Sequence, residues 1–248
     1  MLQFIIPLSG KKQKRMWSFL ISLVIPAYNE QDVIESTIKK SLDFLTAKFS
    51  SFEIIVVNDA SSDGTLLAAQ KYESEFLKVI SYSENRGKGF ALKTGIAMTT
   101  GDKVFFTDAD LAYGLSYIEN AAQILDGCDV VIGSRRLDKL GYKEYSIPRK
   151  IMSHGFSFVS NLVLGLGLND TQCGFKGFKG AAAREIFAKT RVERFGIDFE
   201  VLLLAKHMKL DIKEIAVMVI NHSKSSVSPV RDSLHTLREL FYVRSLYK

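Results

Sequence analysis

The chain has 248 residues, enough for one domain around a single sizeable core. With 47% hydrophobic and 24% charged residues, disorder on compositional grounds is excluded except at the ends; Cys128 and Cys173 form no CxxC or Cys/His arrangement, which excludes a disulfide framework and a zinc site and fits a reducing compartment. A net charge of +6 favours anionic partners, whether phosphates, acidic lipids or nucleic acid, without choosing among them.

Met1 to Leu8 is apolar, but the basic run Lys11, Lys12, Lys14 and Arg15 follows it, the reverse of a secretory signal. Residues 1–19 are therefore expected to be a basic lead, with no cleaved leader. Leu20 to Ile25 and Glu53 to Val57 are short β-branched runs, the pattern of strands buried on both faces of a parallel sheet. Between them Ile34, Ile38, Leu42, Leu45 and Phe49 recur at helical spacing, with Asn29 as the expected cap and Glu30 and Asp32 placing acid in the first turn. The rhythm repeats with a helix from about Thr65, a strand at Lys78 to Ser81, a helix at Phe90 to Met98 and a strand at Lys103 to Thr107. A helix at Tyr117 to Leu125 and a strand at Asp129 to Ile132 follow, and such alternation predicts a doubly wound α/β sheet.

After Ile132 the rhythm changes. Long polar loops, a helix at Lys150 to Leu164 and the Gly-rich Gly174 to Gly180 predict an inserted second half that builds onto the first. The longest apolar segment, Phe156 to Leu168, is broken by Asn161 and two glycines and falls short of the roughly 20 residues a spanning helix needs, so membrane contact is expected to be peripheral. From Asp232, the residues Leu234, Leu237, Leu240, Phe241 and Leu246 alternate with Arg231, Arg238, Arg244 and Lys248. That predicts an amphipathic basic helix within 226–248, either packed on the domain or touching a membrane.

On such sheets ligands bind outside the carboxyl ends of the strands, so the loops there carry the chemistry. The first strand ends in Pro26, Ala27, Tyr28, Asn29 and Glu30, the second in Asn58, Asp59 and on to Asp63, and the fourth in Asp108, Ala109 and Asp110. Acids gathered at one edge repel one another unless a cation and ligand donors offset them. A turn at Ala109 would point Asp108 and Asp110 into one pocket, where Mg²⁺ or Mn²⁺ would accept their oxygens and take water and substrate phosphates for the rest. Gly87-Lys88-Gly89 opens a helix where backbone and lysine can approach a phosphate. Arg135 and Arg149 offer planar forks suited to phosphate oxygens. His154, His207, His222 and His235 lack ligand spacing and are expected in core or surface roles.

Taken in order, VIPAYNE (Val24 to Glu30), VVNDASSDGT (Val56 to Thr65), NRGKGFALKTG (Asn85 to Gly95), DAD (Asp108 to Asp110) and GSR (Gly133 to Arg135) resemble the family-two glycosyltransferases of GT-A fold, in the branch that makes polyprenyl-phosphate sugars. DTQCGFK (Asp170 to Lys176) and FGIDFE (Phe195 to Glu200) are more similar to dolichyl-phosphate glucosyltransferases than to the mannose-transferring branch.

The resemblance implies one α/β GT-A domain over 1–248, Rossmann-like, with a mostly parallel central sheet and helices on both faces. It also implies inverting, metal-dependent transfer of a hexose, glucose from UDP-glucose, to dolichyl or polyprenyl phosphate at a membrane surface. Pro26, Ala27, Tyr28, Glu30, Asp59, Lys88, Asp108, Ala109 and Lys224 would hold the nucleotide sugar, Asp108 and Asp110 a Mg²⁺ or Mn²⁺ ion, and Ser134, Arg135 and Arg149 the acceptor phosphate. The reacting centre would lie among Asp108, Asp110, Arg135 and Arg149. Because a phosphate oxygen is already largely anionic near neutral pH, no strong base is required.

The expected protein is cytoplasmic and peripheral on the cytoplasmic face of a membrane, with no nucleic-acid partner, though a membrane protein could serve as partner. Two departures stand out. Ala112 occupies the place where the mannose branch often carries a glutamine, removing a third side-chain metal ligand, and the transmembrane anchors of many relatives are not expected in this chain. The competing readings are a GDP-mannose-dependent enzyme of the same branch, a transferase for a hydroxyl acceptor in glycan synthesis with Asp198 or Glu200 as base, and a non-catalytic nucleotide-binding domain.

Overall fold

The computed structural model describes residues 18–138, 147–220 and 229–247, with segments 147–154 and 229–236 described by backbone alone. The first half runs β1 (Ile21–Ala27), α1 (Ile34–Lys48), β2 (Phe52–Asn58), α2 (Thr65–Gln70), β3 (Leu77–Ser81), α3 (Lys88–Ala97), β4 (Lys103–Phe106), α4 (Tyr117–Ile124) and β5 (Val130–Ser134). Each element falls within a few residues of its expected span. The second half adds α5 (Ile147–Leu164), β6 (Lys176–Lys179), α6 (Gly180–Lys189), α7 (Ile197–His207), β7 (Ile212–Ala216) and α8 (Pro229–Leu246).

Among the described residues the strands form one sheet of order β3-β2-β1-β4-β6-β5-β7. β1 pairs in parallel with β2 and β4, whereas β6 runs antiparallel between β4 and β5. The second half is thus threaded into the same sheet, and it shares the core of the first. Strand order reverses at β1, so the chain leaves a crevice outside the carboxyl ends of β1 and β4.

Alternation along the strands builds two cores. Ile54 and Val56 of β2 face a cluster with Ile34, Ile38 and Leu45 of α1 and Ile118 of α4, while Ile55 and Val57 face Leu92 of α3, Ile186 of α6 and Val201 of α7. Each fully buried Ile, Leu or Val contributes about 1.5–3 kcal/mol of apolar burial, which fixes the strand register and with it the position of every strand-end loop. A third cluster joins Leu164 of α5 and Leu240 and Val243 of α8 to Phe199 and Leu203 of α7, so this part of the terminal helix packs on the domain. Phe156, on the apolar stripe of α5, stacks on Phe199 at 5.5 Å between ring centroids.

Two expectations about α1 are overturned: it begins at Ile34, so Glu30 and Asp32 precede it and the acid in its first turn is Glu35, and its cap is not the residue expected. Asn29 does not cap α1, whose cap residue is Val33 with no side-chain hydrogen bond. Asn29 takes a positive φ of 55° and turns its amide toward the β2–α2 loop, where Oδ1 accepts from the Ser62 backbone N–H at 2.8 Å. A short Asx side chain tolerates that left-handed backbone, and the turn it makes fixes the two loops to each other.

Candidate active site

The β1–α1 and β2–α2 loops are laced together. Asn29 N donates to Ser61 Oγ at 2.9 Å, Glu30 N to Thr65 Oγ1 at 2.8 Å, Gln31 N to Asp63 Oδ2 at 3.2 Å and Gly64 N to Gln31 Oε1 at 2.9 Å. Pro26 and Ala27 close β1, and the Tyr28 ring beyond them is 48% exposed, a platform open to a flat ligand. Asp59 is buried, and its carboxylate accepts from Asn85 Nδ2 at 2.9 Å, Arg86 N at 2.8 Å and Gly87 N at 2.7 Å. Of the Gly87-Lys88-Gly89 segment, the Gly87 amide is therefore engaged by Asp59. Glycine is required at position 87 because φ is +99° and a Cβ there would lie 2.8 Å from the Glu193 carbonyl oxygen.

Past β4 the chain turns at Ala109 and Asp110, with Leu111 N donating to Asp108 O at 3.0 Å. The Ala109 carbonyl accepts from Thr37 Oγ1 of α1, which anchors the turn. Both acids are partly exposed. Asp110 Oδ1 accepts from Ala112 N at 2.9 Å, and Asp110 lines a cavity of about 440 Å³ together with Lys40, Leu111, Gly114, Leu115 and Ile220. Asp108 Oδ1 lies 2.7 Å from Lys88 Nζ.

Lys88, the first residue of α3, begins a chain of alternating charges. Its Nζ is also 3.7 Å from Asp198 Oδ2; Asp198 pairs in turn with Lys176, whose side chain is 0% exposed and whose Nζ donates to Cys173 O at 2.7 Å. Burial alone would discharge Lys88, but the Asp108 and Asp198 carboxylates outweigh it and hold the ammonium above its ordinary value. Asp198 is held below its usual range in spite of burial, by Lys176 and then Lys88. Glu200 is fully buried, with its carboxylate accepting from Arg191 N at 2.8 Å, Val192 N at 2.9 Å and Tyr247 Oη at 2.6 Å. Both acids sit in the first turn of α7 as structural groups. A general base drawn from this pair would first have to leave these partners.

At the end of β5 the Arg135 guanidinium forms a two-point pair with Asp170, Nε to Oδ2 at 2.6 Å and Nη2 to Oδ1 at 2.8 Å. Burial opposes its charge, while the Asp170 carboxylate holds it well above its ordinary value. Tyr113, itself buried, stays protonated because burial, Cys173, Asp170 and Asp108 all raise it against the pull of Arg135. Burial also pushes the Cys173 thiol up to about 12, so it is no nucleophile. The Ser134 hydroxyl is fully buried and has no hydrogen-bond partner among the described residues.

The structure thus gathers Pro26, Ala27, Tyr28, Glu30, Asp59, Lys88, Asp108, Ala109, Asp110, Ser134 and Arg135 at one edge of the sheet. Lys224 and the side chain of Arg149 lie outside the described residues. Sequence reasoning missed Tyr113, Lys176 and the pairing role of Asp170. The usable signal was that Asp170 and Lys176 flank Cys173 and Gly174 in one quoted motif, around a glycine that must pack against something.

The acids themselves indicate whether a dication suits this edge. The Glu30 carboxyl is raised above its ordinary value by burial, then by Asp110, Asp108 and Asp63, so negative charge is in excess around the turn. Among the described residues no group of three His, Cys, Asp or Glu forms a metal cage. Two carboxylate oxygens on a tight turn fit a hard ion whose remaining ligands are water and substrate phosphates.

The sequence of residues 22–187 matches the profile of Glycosyl transferase family 2. The chain belongs to that family. It is 35% identical over 245 residues to a dolichyl-phosphate beta-glucosyltransferase of Drosophila melanogaster, covering 91% of this chain and 74% of that one. To the Homo sapiens protein of the same name it is 33% identical over 244 residues, covering 92% and 75%. Among solved structures, a Mycobacterium tuberculosis glucosyl-3-phosphoglycerate synthase in complex with Mn²⁺, UDP and glucosyl-3-phosphoglycerate superposes with a TM-score of 0.65 at 21% identity, over 92% of this chain and 81% of that one. The family 2 domain therefore has the GT-A fold, as expected.

Proposed function

We propose that this chain is an inverting, metal-dependent glucosyltransferase that moves glucose from UDP-glucose to a dolichyl or polyprenyl phosphate. The observation that carries the reading is one sheet edge with a carboxylate turn after β4 and, two strands away in the sheet, a partly exposed arginine after β5 held by its own carboxylate. Relatives that share most of the chain and are named for this reaction support it.

A Mg²⁺ or Mn²⁺ ion held by Asp108 and Asp110 would act as the Lewis acid that neutralises charge growing on the leaving diphosphate. Around it the protein's own groups position the reactants. Lys88 adds a cation that stays charged at neutral pH, the exposed Tyr28 ring and the fixed Asp59 loop frame the nucleoside, and the resemblance assigns Lys224 to the donor phosphates. Arg135, with Ser134 and Arg149, receives the acceptor phosphate on the far side, so attack opposite the leaving group inverts the anomeric carbon. The attacking oxygen is already anionic, so no general base is required of the protein. No helix among the described residues is long and apolar enough to cross a membrane; in this reading the lipid is met at the cytoplasmic face of a membrane, by surface contact or through a membrane-protein partner.

The test incubates the protein with radiolabelled UDP- and GDP-sugars, Mn²⁺ or Mg²⁺ and polyprenyl phosphate. Label from UDP-glucose should enter the organic phase. Label only from GDP-mannose would change the donor, and label in a water-soluble product alone would replace the lipid acceptor by a hydroxyl one.

A second prediction concerns Gly174, where a Cβ would lie 2.0 Å from Asp108 Oδ2 and 2.9 Å from its Cγ. Gly174→Ala is expected to displace the Asp108 carboxylate and lower transfer by about 100-fold, the scale of a misplacement of about 1 Å. Steady-state rates alongside circular dichroism check this; near-native turnover would mean that the position of Asp108 does not matter.

A further inference from the structure

We infer that Asp170 is the positioning residue of the acceptor site, holding Arg135 so that one fixed edge of its guanidinium meets the acceptor phosphate. The inference rests on the lipid-phosphate reading above and names a residue that nothing in that reading assigns.

Arg135 makes three contacts with Asp170. Beyond the two side-chain bonds from Arg135, the Arg135 backbone N–H donates to Asp170 Oδ2 at 3.1 Å, so side chain and main chain are held by one carboxylate. Asp170 cannot swing, because its loop is tied to β7: Asn169 N donates to Glu214 at 2.9 Å, Asn169 Nδ2 at 2.8 Å and Asp170 N at 3.2 Å. Arg136 Nη1 closes the same loop onto Asn169 O at 2.9 Å. The exposed part of the ion pair belongs to the arginine, whose side chain is 25% accessible against 4% for Asp170.

A guanidinium carries five N–H groups in a rigid plane. Asp170 takes Nε–H and one N–H of Nη2, leaving the second N–H of Nη2 and both on Nη1 for a ligand. An arginine already fixed in this way gives up little rotamer freedom when a phosphate arrives, which lowers the cost of binding. Ser134 and Thr171, chain neighbours of the paired residues, carry buried hydroxyls with no hydrogen-bond partner among the described residues. Asp170 is held below its usual range by Arg135 against the effect of burial, so the pair is ionised throughout the neutral range.

The test measures kcat and both KM values for the wild type, Asp170→Asn, Arg135→Ala and the double variant, with UDP-glucose and a polyprenyl phosphate as substrates. Asp170→Asn should raise the KM for polyprenyl phosphate about tenfold, the scale of one charge-assisted hydrogen bond, and leave the KM for UDP-glucose unchanged. The double variant should be no worse than Arg135→Ala, because Asp170 acts through the arginine. Should Asp170→Asn fail to fold, Arg135→Lys, which keeps the charge but loses the two-point pair, must give the same selective rise. Equal changes in both KM values, or additive losses in the double variant, would overturn the inference while leaving the lipid-phosphate reading intact. A wild type that transfers nothing to polyprenyl phosphate would overturn both.

Discussion

Replacing Asp110 by Ala is expected to lower glucose transfer by about 1000-fold while leaving the fold in place. Asp110 is partly exposed and lines a cavity, and its Oδ1 accepts from Ala112 N at 2.9 Å within the turn itself, outside the apolar clusters that hold the sheet and helices together. What the substitution removes is one of two carboxylates available to a dication at this turn. The departing diphosphate would then develop its charge without the ion that neutralises it, and losing one preorganised electrostatic contact of this kind costs about 10²–10³ in turnover. Steady-state kinetics across a Mn²⁺ titration check it: the variant should not be rescued at any concentration that saturates the wild type. Activity within tenfold of wild type would remove Asp110 from the metal site.

The largest stability loss is expected from Lys176→Met. Lys176 is fully buried in β6, bonded to Asp198 and to Cys173 O, and Asp198 is itself almost inaccessible. Taking away the ammonium leaves a buried carboxylate whose nearest remaining cation is Lys88, at 3.7 Å and shared with Asp108. Breaking such a pair by removing one partner costs about 3–5 kcal/mol. Since both partners are lost together in Lys176→Met/Asp198→Asn, the double variant should recover part of the difference, which chemical denaturation can measure.

The pH dependence has a definite sign. Asp198 has a folded-state value below its ordinary 3.8, set by Lys176 and Lys88 against burial. Its stabilisation is therefore complete above the unfolded value and is lost as pH falls through the lower folded one. The gap between wild type and Lys176→Met should thus be widest near neutral pH and narrow in strong acid. A gap that stayed constant down to acid pH would show that the lysine contributes packing alone.

The sequence made the first half of the fold legible because its strands are continuous apolar runs and its helices keep a clear period. β6 was hidden for a physical reason. Lys176-Gly177-Phe178-Lys179 reads as a loop, and only the ion pair with Asp198, 22 residues away, makes a lysine tolerable at a central strand position. β7 is an edge strand with alternating partial exposure, too weak a pattern to separate from a loop. At the site, local motifs identified the acid turn and the Arg135 loop, because those residues act where the chain itself turns. Asp170 lies 35 residues from Arg135, and Tyr113 comes close to both only through the tertiary fold, so neither spacing nor residue type could assign them. The Asn29 expectation failed because a residue suited to capping is equally suited to a left-handed turn, and the neighbouring loop decided between them.

The most direct measurement of the central claim is the anomeric configuration of the sugar on the lipid product, read by proton NMR after conversion of UDP-glucose, whose glucose is α-linked. With the leaving diphosphate held at the Asp108–Asp110 turn and the acceptor phosphate at Arg135, the product should be a β-glucosyl phosphate with a large diaxial coupling between its first two ring protons. An α-linked product, or free glucose with no lipid conjugate, would contradict the account.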